Sequence, residues 1–226
     1  MEHAPIEAVL FDIDGTLVDS NYQHVQAWGR AFEELELTVD AWRIHRAIGM
    51  DSAKLLESVL GDGAEQYGDR AKELHTTYYQ PLMAGIHPFD GATALLRRLG
   101  DAGFRVVLAT SAPQEELDRL REILEIDDAI DAVTSAEDVE VAKPDPGIVQ
   151  VAIQKAGVDA SAAVMIGDSA WDALGASRAN VRTLGVRSGG FGADELMDAG
   201  AIAVYDDVAD LLANLDDSIL GTRDAA

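Results

Sequence analysis

The sequence has no cysteine, which removes disulfide scaffolds, thiol nucleophiles and cysteine-based zinc sites from consideration. Positive charge is scarce: 17 Lys+Arg face 41 Asp+Glu, a formal net charge of −24. So acidic a chain repels phosphate backbones, which excludes nucleic-acid binding through a basic surface. Lysine is scarcest of all, with only Lys54, Lys72, Lys143 and Lys155, a usage that fits either a salt-adapted surface or a GC-rich genome. Long apolar runs are missing too. Stretches such as Ala163–Gly167 and Val106–Ala109 are far too short to cross a bilayer. Met1-Glu2-His3-Ala4-Pro5 offers neither a basic n-region nor an apolar h-region, so no secretory signal is read there. These absences lead to the expectation of a soluble, cytoplasmic protein with no nucleic-acid or membrane partner. No heptad seam marks an oligomer interface, so monomer and dimer both stay open.

What is present is ordinary globular material. With 226 residues, 48% of them hydrophobic and 26% charged, the chain can bury a proper core in one or two domains and is not disordered. Apolar strand-like runs at Ala8–Phe11, Phe104–Ala109, Ala163–Ile166 and Arg182–Val186, with weaker ones at Ala132–Thr134 and Ile202–Val204, alternate with helix patterns. The helices are read at Ala92–Leu99, Gln114–Leu124, Pro146–Ala156 and Trp171–Ala179, with Pro at starts and Gly or Asn at ends as boundary signals. Alternation of this kind predicts a parallel sheet covered on both faces, with ligands bound at the carboxyl ends of its strands.

Residues from about Ser20 to Pro88 break that alternation. Tyr22, Val25, Trp28 (or Gly29), Phe32 and Leu35 recur at helical spacing, and helices again fit Asp40–Ile48, Ser52–Leu60 and Gln66–Met83. The expected organisation is an α/β core from residues 1–19 and 87–226, with an all-helical domain, 20–86, inserted after the first strand.

The first strand runs into Phe11-Asp12-Ile13-Asp14-Gly15-Thr16-Leu17-Val18-Asp19-Ser20. Carboxylates at i and i+2 share one side if the strand continues through them. Like charges that close need a cation, a shared proton or a donor between them, and a hard divalent ion with oxygen ligands would supply it. Gly15 allows a tight turn that can aim neighbouring N–H groups at an anion. Read without the apolar run before it, the same stretch is only an acidic strand end closed by an Asx-turn at Asp14-Gly15.

Asp12-Ile13-Asp14-Gly15-Thr16 resembles the first motif of the haloacid dehalogenase superfamily, most of whose members are Mg²⁺-dependent phosphatases. Three further stretches match its later motifs in order. They are Phe104–Ser111, Val141-Ala142-Lys143-Pro144-Asp145-Pro146, and Val164-Met165-Ile166-Gly167-Asp168-Ser169-Ala170-Trp171-Asp172. The resemblance implies a doubly wound, Rossmann-like parallel sheet with an α-helical cap, as in phosphoglycolate phosphatase-like and β-phosphoglucomutase-like members. It implies Asp12 as the nucleophile that becomes an aspartyl phosphate, Asp14 as general acid/base, and Lys143 as the cation that neutralises Asp12 and phosphoryl oxygens. Thr110, with the N–H of Ser111, would hold a phosphoryl oxygen, and Gly15 and Thr16 would line the substrate site. Mg²⁺ would be held by Asp12, Asp168 and Asp14, the last through its main-chain carbonyl. Asp172 would support the metal's water shell or Lys143, or simply complement the dipole of its own helix.

The resemblance also bears on the choice of reaction. Asp14 disfavours a dehalogenase, since halide leaves unprotonated. Thr16 favours hydrolysis over a β-phosphoglucomutase-type phosphomutase. A phosphonatase would need a cap lysine for a Schiff base, for which Lys54 and Lys72 are available. A non-enzymatic binding protein would predict a broken set, yet Asp12, Asp14, Lys143 and Asp168 are all present. The expected substrate is a small phosphorylated metabolite, resembling phosphoglycolate or a sugar phosphate. For the cap, the resemblance suggests that His24 couples closure to Asp14, and that Arg46 clamps the leaving group.

Overall fold

A computed structural model describes residues 5–138 and 143–221. Val141 and Ala142 of the third motif lie outside the described residues. Six strands, β1 (Ala8–Phe11), β2 (Arg105–Ala109), β3 (Ala132–Thr134), β4 (Ala163–Gly167), β5 (Arg182–Val186) and β6 (Ala201–Tyr205), form one sheet in the order β3-β2-β1-β4-β5-β6. Each pairing is parallel.

Side chains alternate between the faces with the two-residue period of a strand. Val9, Phe11, Val106, Leu108, Val164 and Ile166 enter one apolar cluster, while Ala8, Leu10, Val107, Ala109, Ala163 and Met165 enter another. Both faces are thus dry, which is why these strands read as continuous apolar runs rather than alternating ones. Helices α5 (Ala92–Asp101), α6 (Gln114–Leu124), α7 (Gly147–Ala156) and α8 (Ala170–Arg178) connect the strands. The strand order reverses between β1 and β4, and that switch point is where such sheets open a crevice for a ligand.

Between β1 and β2 lie α1 (Asn21–Glu34), α2 (Ala41–Ala47), α3 (Ser52–Leu60), α4 (Gly63–Tyr79) and a 3₁₀ turn at Gln80–Gly85. They share an apolar cluster of their own, built on Trp28, Phe32, Ile44, Leu55, Leu56 and Val59. The helix read as Gln66–Met83 instead starts at Gly63 and gives way to the 3₁₀ turn at Gln80, where Pro81 supplies no N–H donor. Tyr22, one of the residues recurring at helical spacing along α1, is 59% exposed and stacks on His45 at 5.3 Å. Two six-residue helices, α9 (Ala193–Asp198) and α10 (Val208–Ala213), are too short to announce themselves by periodicity. Among the described residues no helix is long and apolar enough to cross a membrane.

Candidate active site

β1 stops at Phe11, so the two carboxylates are not presented by a continuing strand as their spacing suggested. The Asp12 N–H still donates to the Ile166 carbonyl of β4 at 3.0 Å, which fixes Asp12 at the switch point. Beyond it, the Ile13 carbonyl accepts N–H donors from Thr16, Leu17 and Val18, folding the chain back on itself. Gly15 makes that turn at φ +75°, and a Cβ there would stand 2.3 Å from Asn21 Nδ2 and 2.6 Å from Asp168 Oδ2. Only glycine fits this conformation and this approach.

Asp12 and Lys143 are both buried, and the Lys143 ammonium stands 2.6 Å from Asp12 Oδ1 and 2.7 Å from Asp172 Oδ1. The other oxygen of Asp172 accepts from the Ser169 N–H at 3.1 Å and its hydroxyl at 2.6 Å, completing a capping box at the start of α8. The Lys143 pair and the dipole-complementing first-turn acid expected at this position therefore coexist in one carboxylate. Burial, opposed by Lys143 but reinforced by Asp172 and Asp14, pushes the Asp12 carboxyl up to about 7. Burial raises Asp168 as well, with Asp172 and Asp12 adding to the effect. Lys143 is raised against burial by the charges of Asp12 and Asp172.

Asp12, Asp168 and Asp172 each bring a carboxylate oxygen within 4.8 Å of one another in a fully buried cluster. Three acids against one lysine leave an excess of buried negative charge, and the donors are all hard oxygens. This set fits Mg²⁺. Asp12 and Asp168, the two carboxylates the resemblance gives to the metal, both belong to this set. Asp168 is pinned by Thr16 Oγ1 and Asn21 Nδ2, each donating at 2.9 Å. Thr16 is fully buried and serves Asp168 rather than a substrate, unlike the expectation. The Gly15 N–H is likewise spent on the Val18 carbonyl.

Asp14 has a separate set of partners. Its Oδ1 accepts from the Ser20 hydroxyl at 2.5 Å and lies 3.4 Å from His24 Nε2. Burial alone would raise this carboxyl, but the hydrogen bonds and charge of His24, with Ser20, hold it below its ordinary value. His24 Nε2 also stands 3.4 Å from Glu116 Oε1 of α6. Against burial, these two carboxylates push His24 up to about 10. Its ring stacks on Tyr79 at 3.9 Å, and its Nδ1 lies 3.1 Å from His75 Nε2. Burial and the His24 charge drive His75 down to about 2, so this second imidazole is neutral.

A cavity of about 470 Å³ opens between the α1–α4 segment and the strand ends, a size suited to a small metabolite. Asp12, Asp14, His24, Thr110, Ser111 and Lys143 line it. Thr110 Oγ1 accepts from the Ala112 N–H at 3.0 Å, which leaves its proton for a ligand. Arg46 is not among the lining residues. It pairs with Glu195 and lies over the Phe191 ring at 4.1 Å, so the structure does not bring it to the site expected for a clamp. Of the two lysines considered for a Schiff base, Lys72 lines the cavity and Lys54 does not. Asn21, Glu116, His75 and Tyr79 had no motif to reveal them. The only signal was their place on helices beside the strand ends.

A family profile described as haloacid dehalogenase-like hydrolase matches residues 6–180. A phosphoglycolate phosphatase of Rhodospirillum rubrum is 31% identical over 91% of this chain and 89% of its own length. A pyrophosphatase of Halalkalibacterium halodurans is 26% identical over 79% of this chain and 82% of its own. The crystal structure of a hydrolase from Pseudomonas syringae superposes with a TM-score of 0.88 at 36% identity, covering 93% of this chain and 98% of that one.

Proposed function

Because the chain belongs to the haloacid dehalogenase-like hydrolases and is a phosphatase-type enzyme of that family, we propose that it hydrolyses small phosphate monoesters with Mg²⁺ through a phosphorylated Asp12. The observation that carries this reading is the Lys143 ammonium, 2.6 Å from a buried Asp12 at the switch point of the sheet. That ion pair opposes the burial that raises the Asp12 carboxyl and so favours the ionised form a nucleophile requires.

In the first step an Asp12 oxygen bonds to phosphorus while the ester P–O bond breaks. Asp14, whose carboxyl His24 holds below its ordinary value in the free protein, takes up a proton as the phosphate ester enters and gives it to the departing alkoxide. In the second, water attacks the phosphorus of the aspartyl phosphate, losing its proton to Asp14, and the Asp12–phosphate bond breaks to release inorganic phosphate. Thr110 and the Ser111 N–H orient a phosphoryl oxygen, and Lys143 balances charge on Asp12 and the phosphoryl group. Asp12, Asp168 and the main-chain carbonyl of Asp14 would hold Mg²⁺, which when bound neutralises charge on the transferring phosphoryl group. Residues 20–86 act as a cap over the core formed by 1–19 and 87–226. His24, bridging Asp14 and Glu116, ties cap position to the general acid/base. Arg46, paired across to Glu195, clasps the cap to the core.

The names of the relatives, phosphoglycolate phosphatase and pyrophosphatase, support a small phosphorylated substrate. Assay of a phosphate-ester panel with Mg²⁺ tests the reading. It is expected to show release of inorganic phosphate from at least one small monoester, and inertness toward every ester would refute it.

A further inference from the structure

Lys72 is one of four lysines in a chain carrying 41 acids. Lys143 is held by Asp12 and Asp172, and Lys155 by Asp138. Lys72 is partly buried and lines the cavity, yet among the described residues no carboxylate stands within ion-pair distance of its ammonium. The acids that share the cavity are engaged elsewhere. Asp51 Oδ1 accepts from the Ala53 and Lys54 N–H groups, and Glu116 faces His24.

Helical geometry says which part of a ligand this ammonium meets. Lys72, His75, Thr76 and Tyr79 share one face of α4 at i, i+3, i+4 and i+7 spacing. Tyr79 stacks on His24, which itself stands beside Asp14. At 1.5 Å rise per residue, Lys72 lies about 10 Å farther along the helix than Tyr79, away from the reacting phosphorus. Among the described residues, the other basic groups lining the cavity, His24, His75 and Lys143, are not available to a ligand's far end. Lys143 and His24 are paired with carboxylates, His75 is neutral, and Arg46 lies outside the cavity bound to Glu195.

We propose that the Lys72 ammonium recognises a second anionic group, a carboxylate or a further phosphate, carried by the leaving group of the substrate. The inference rests on the phosphatase reading above and narrows it to esters whose alcohol portion is itself an anion. An unpaired ammonium in a partly buried wall gains a charge-assisted hydrogen bond only when such a ligand enters. Lys72 is thus a specificity residue for the part of the substrate that does not react.

The test compares wild type, Lys72→Met and Lys72→Arg at saturating Mg²⁺ on two matched pairs of esters. One pair is 2-phosphoglycolate against 2-hydroxyethyl phosphate, and the other is glucose 1,6-bisphosphate against glucose 1-phosphate. Wild type is expected to prefer the anionic member of one pair, and that pair identifies the group as carboxylate or phosphate. Lys72→Met should raise KM for that member about 10–100-fold with kcat little changed. The neutral member should be unaffected, and Lys72→Arg should restore part of the loss. Equal losses on both members, no loss on either, or wild-type turnover without preference would each overturn the role of Lys72 while leaving the phosphatase intact. Failure of wild type to turn over any of these esters or any in a wider monoester panel would overturn both.

Discussion

Asp172 holds the Lys143 ammonium 2.7 Å from one carboxylate oxygen while its other oxygen closes the capping box with Ser169. A single acid thus joins the start of α8 to the cation that faces Asp12. Removing one partner from a buried pair leaves the other uncompensated, a cost of about 3–5 kcal/mol where no second partner remains. Asp12 is that second partner for Lys143 here, so Asp172→Asn is expected to cost less, about 1–3 kcal/mol in urea unfolding. It should also lower kcat as Lys143 shifts toward Asp12. Asp172→Ala loses the cap as well and should unfold earlier still, by about 1 kcal/mol. Unchanged stability and kcat in both variants would mean that Asp172 does not position Lys143.

Asp168 is held by Thr16 and Asn21 from two sides, and such supporting hydrogen bonds commonly matter about 10–100-fold to metal affinity. Asn21→Ala and Thr16→Val should each raise the Mg²⁺ concentration giving half-maximal activity within that range, with little change at saturating Mg²⁺. Titration of activity against Mg²⁺ checks this. Chelation with EDTA should abolish wild-type turnover and added Mg²⁺ should restore it, whereas full activity after exhaustive chelation would remove the metal from the account.

Arg46 was expected to clamp substrate and instead spans from α2 to Glu195 and Phe191. Arg46→Ala should therefore lower kcat/KM by a similar factor for every ester, including a featureless aryl phosphate. An exposed ion pair of this kind is worth about 0.2–1 kcal/mol, so the factor should stay below about tenfold. A loss confined to one substrate would return Arg46 to the binding site.

How much was legible in advance follows from where the information sits. The centre of the sheet was legible because β1, β2 and β4 are buried on both faces, leaving dense apolar runs closed by Asp12, Thr110 and Asp168, whereas the half-buried edge strands β3 and β6 gave weaker runs. The ordered motifs then named Lys143. What the sequence did not disclose depends on the path of the chain between elements. Strand β1 ends one residue before Asp12, so the partners of Asp12 and Asp14 are set by the turn at Gly15 and not by strand alternation. The first motif places Thr16 at the substrate site, but its hydroxyl faces Asp168. Asn21, Glu116 and His75 lie on helices whose orientation over the strand ends no local pattern encodes. Arg46 lies outside the cavity and Lys72 lines it for the same reason: both are cations on helices of the inserted segment, and only packing decides which one meets the cavity.

The covalent role of Asp12 is the claim on which the rest depends. A single turnover with an ester labelled in its phosphoryl group, quenched in acid and followed by peptide mapping, tests it directly. The account predicts label on the peptide carrying Asp12, with no labelled peptide and nearly no turnover in Asp12→Asn. Turnover by Asp12→Asn at near-normal rate, or phosphate release from wild type with no labelled enzyme at any quench time, would contradict it.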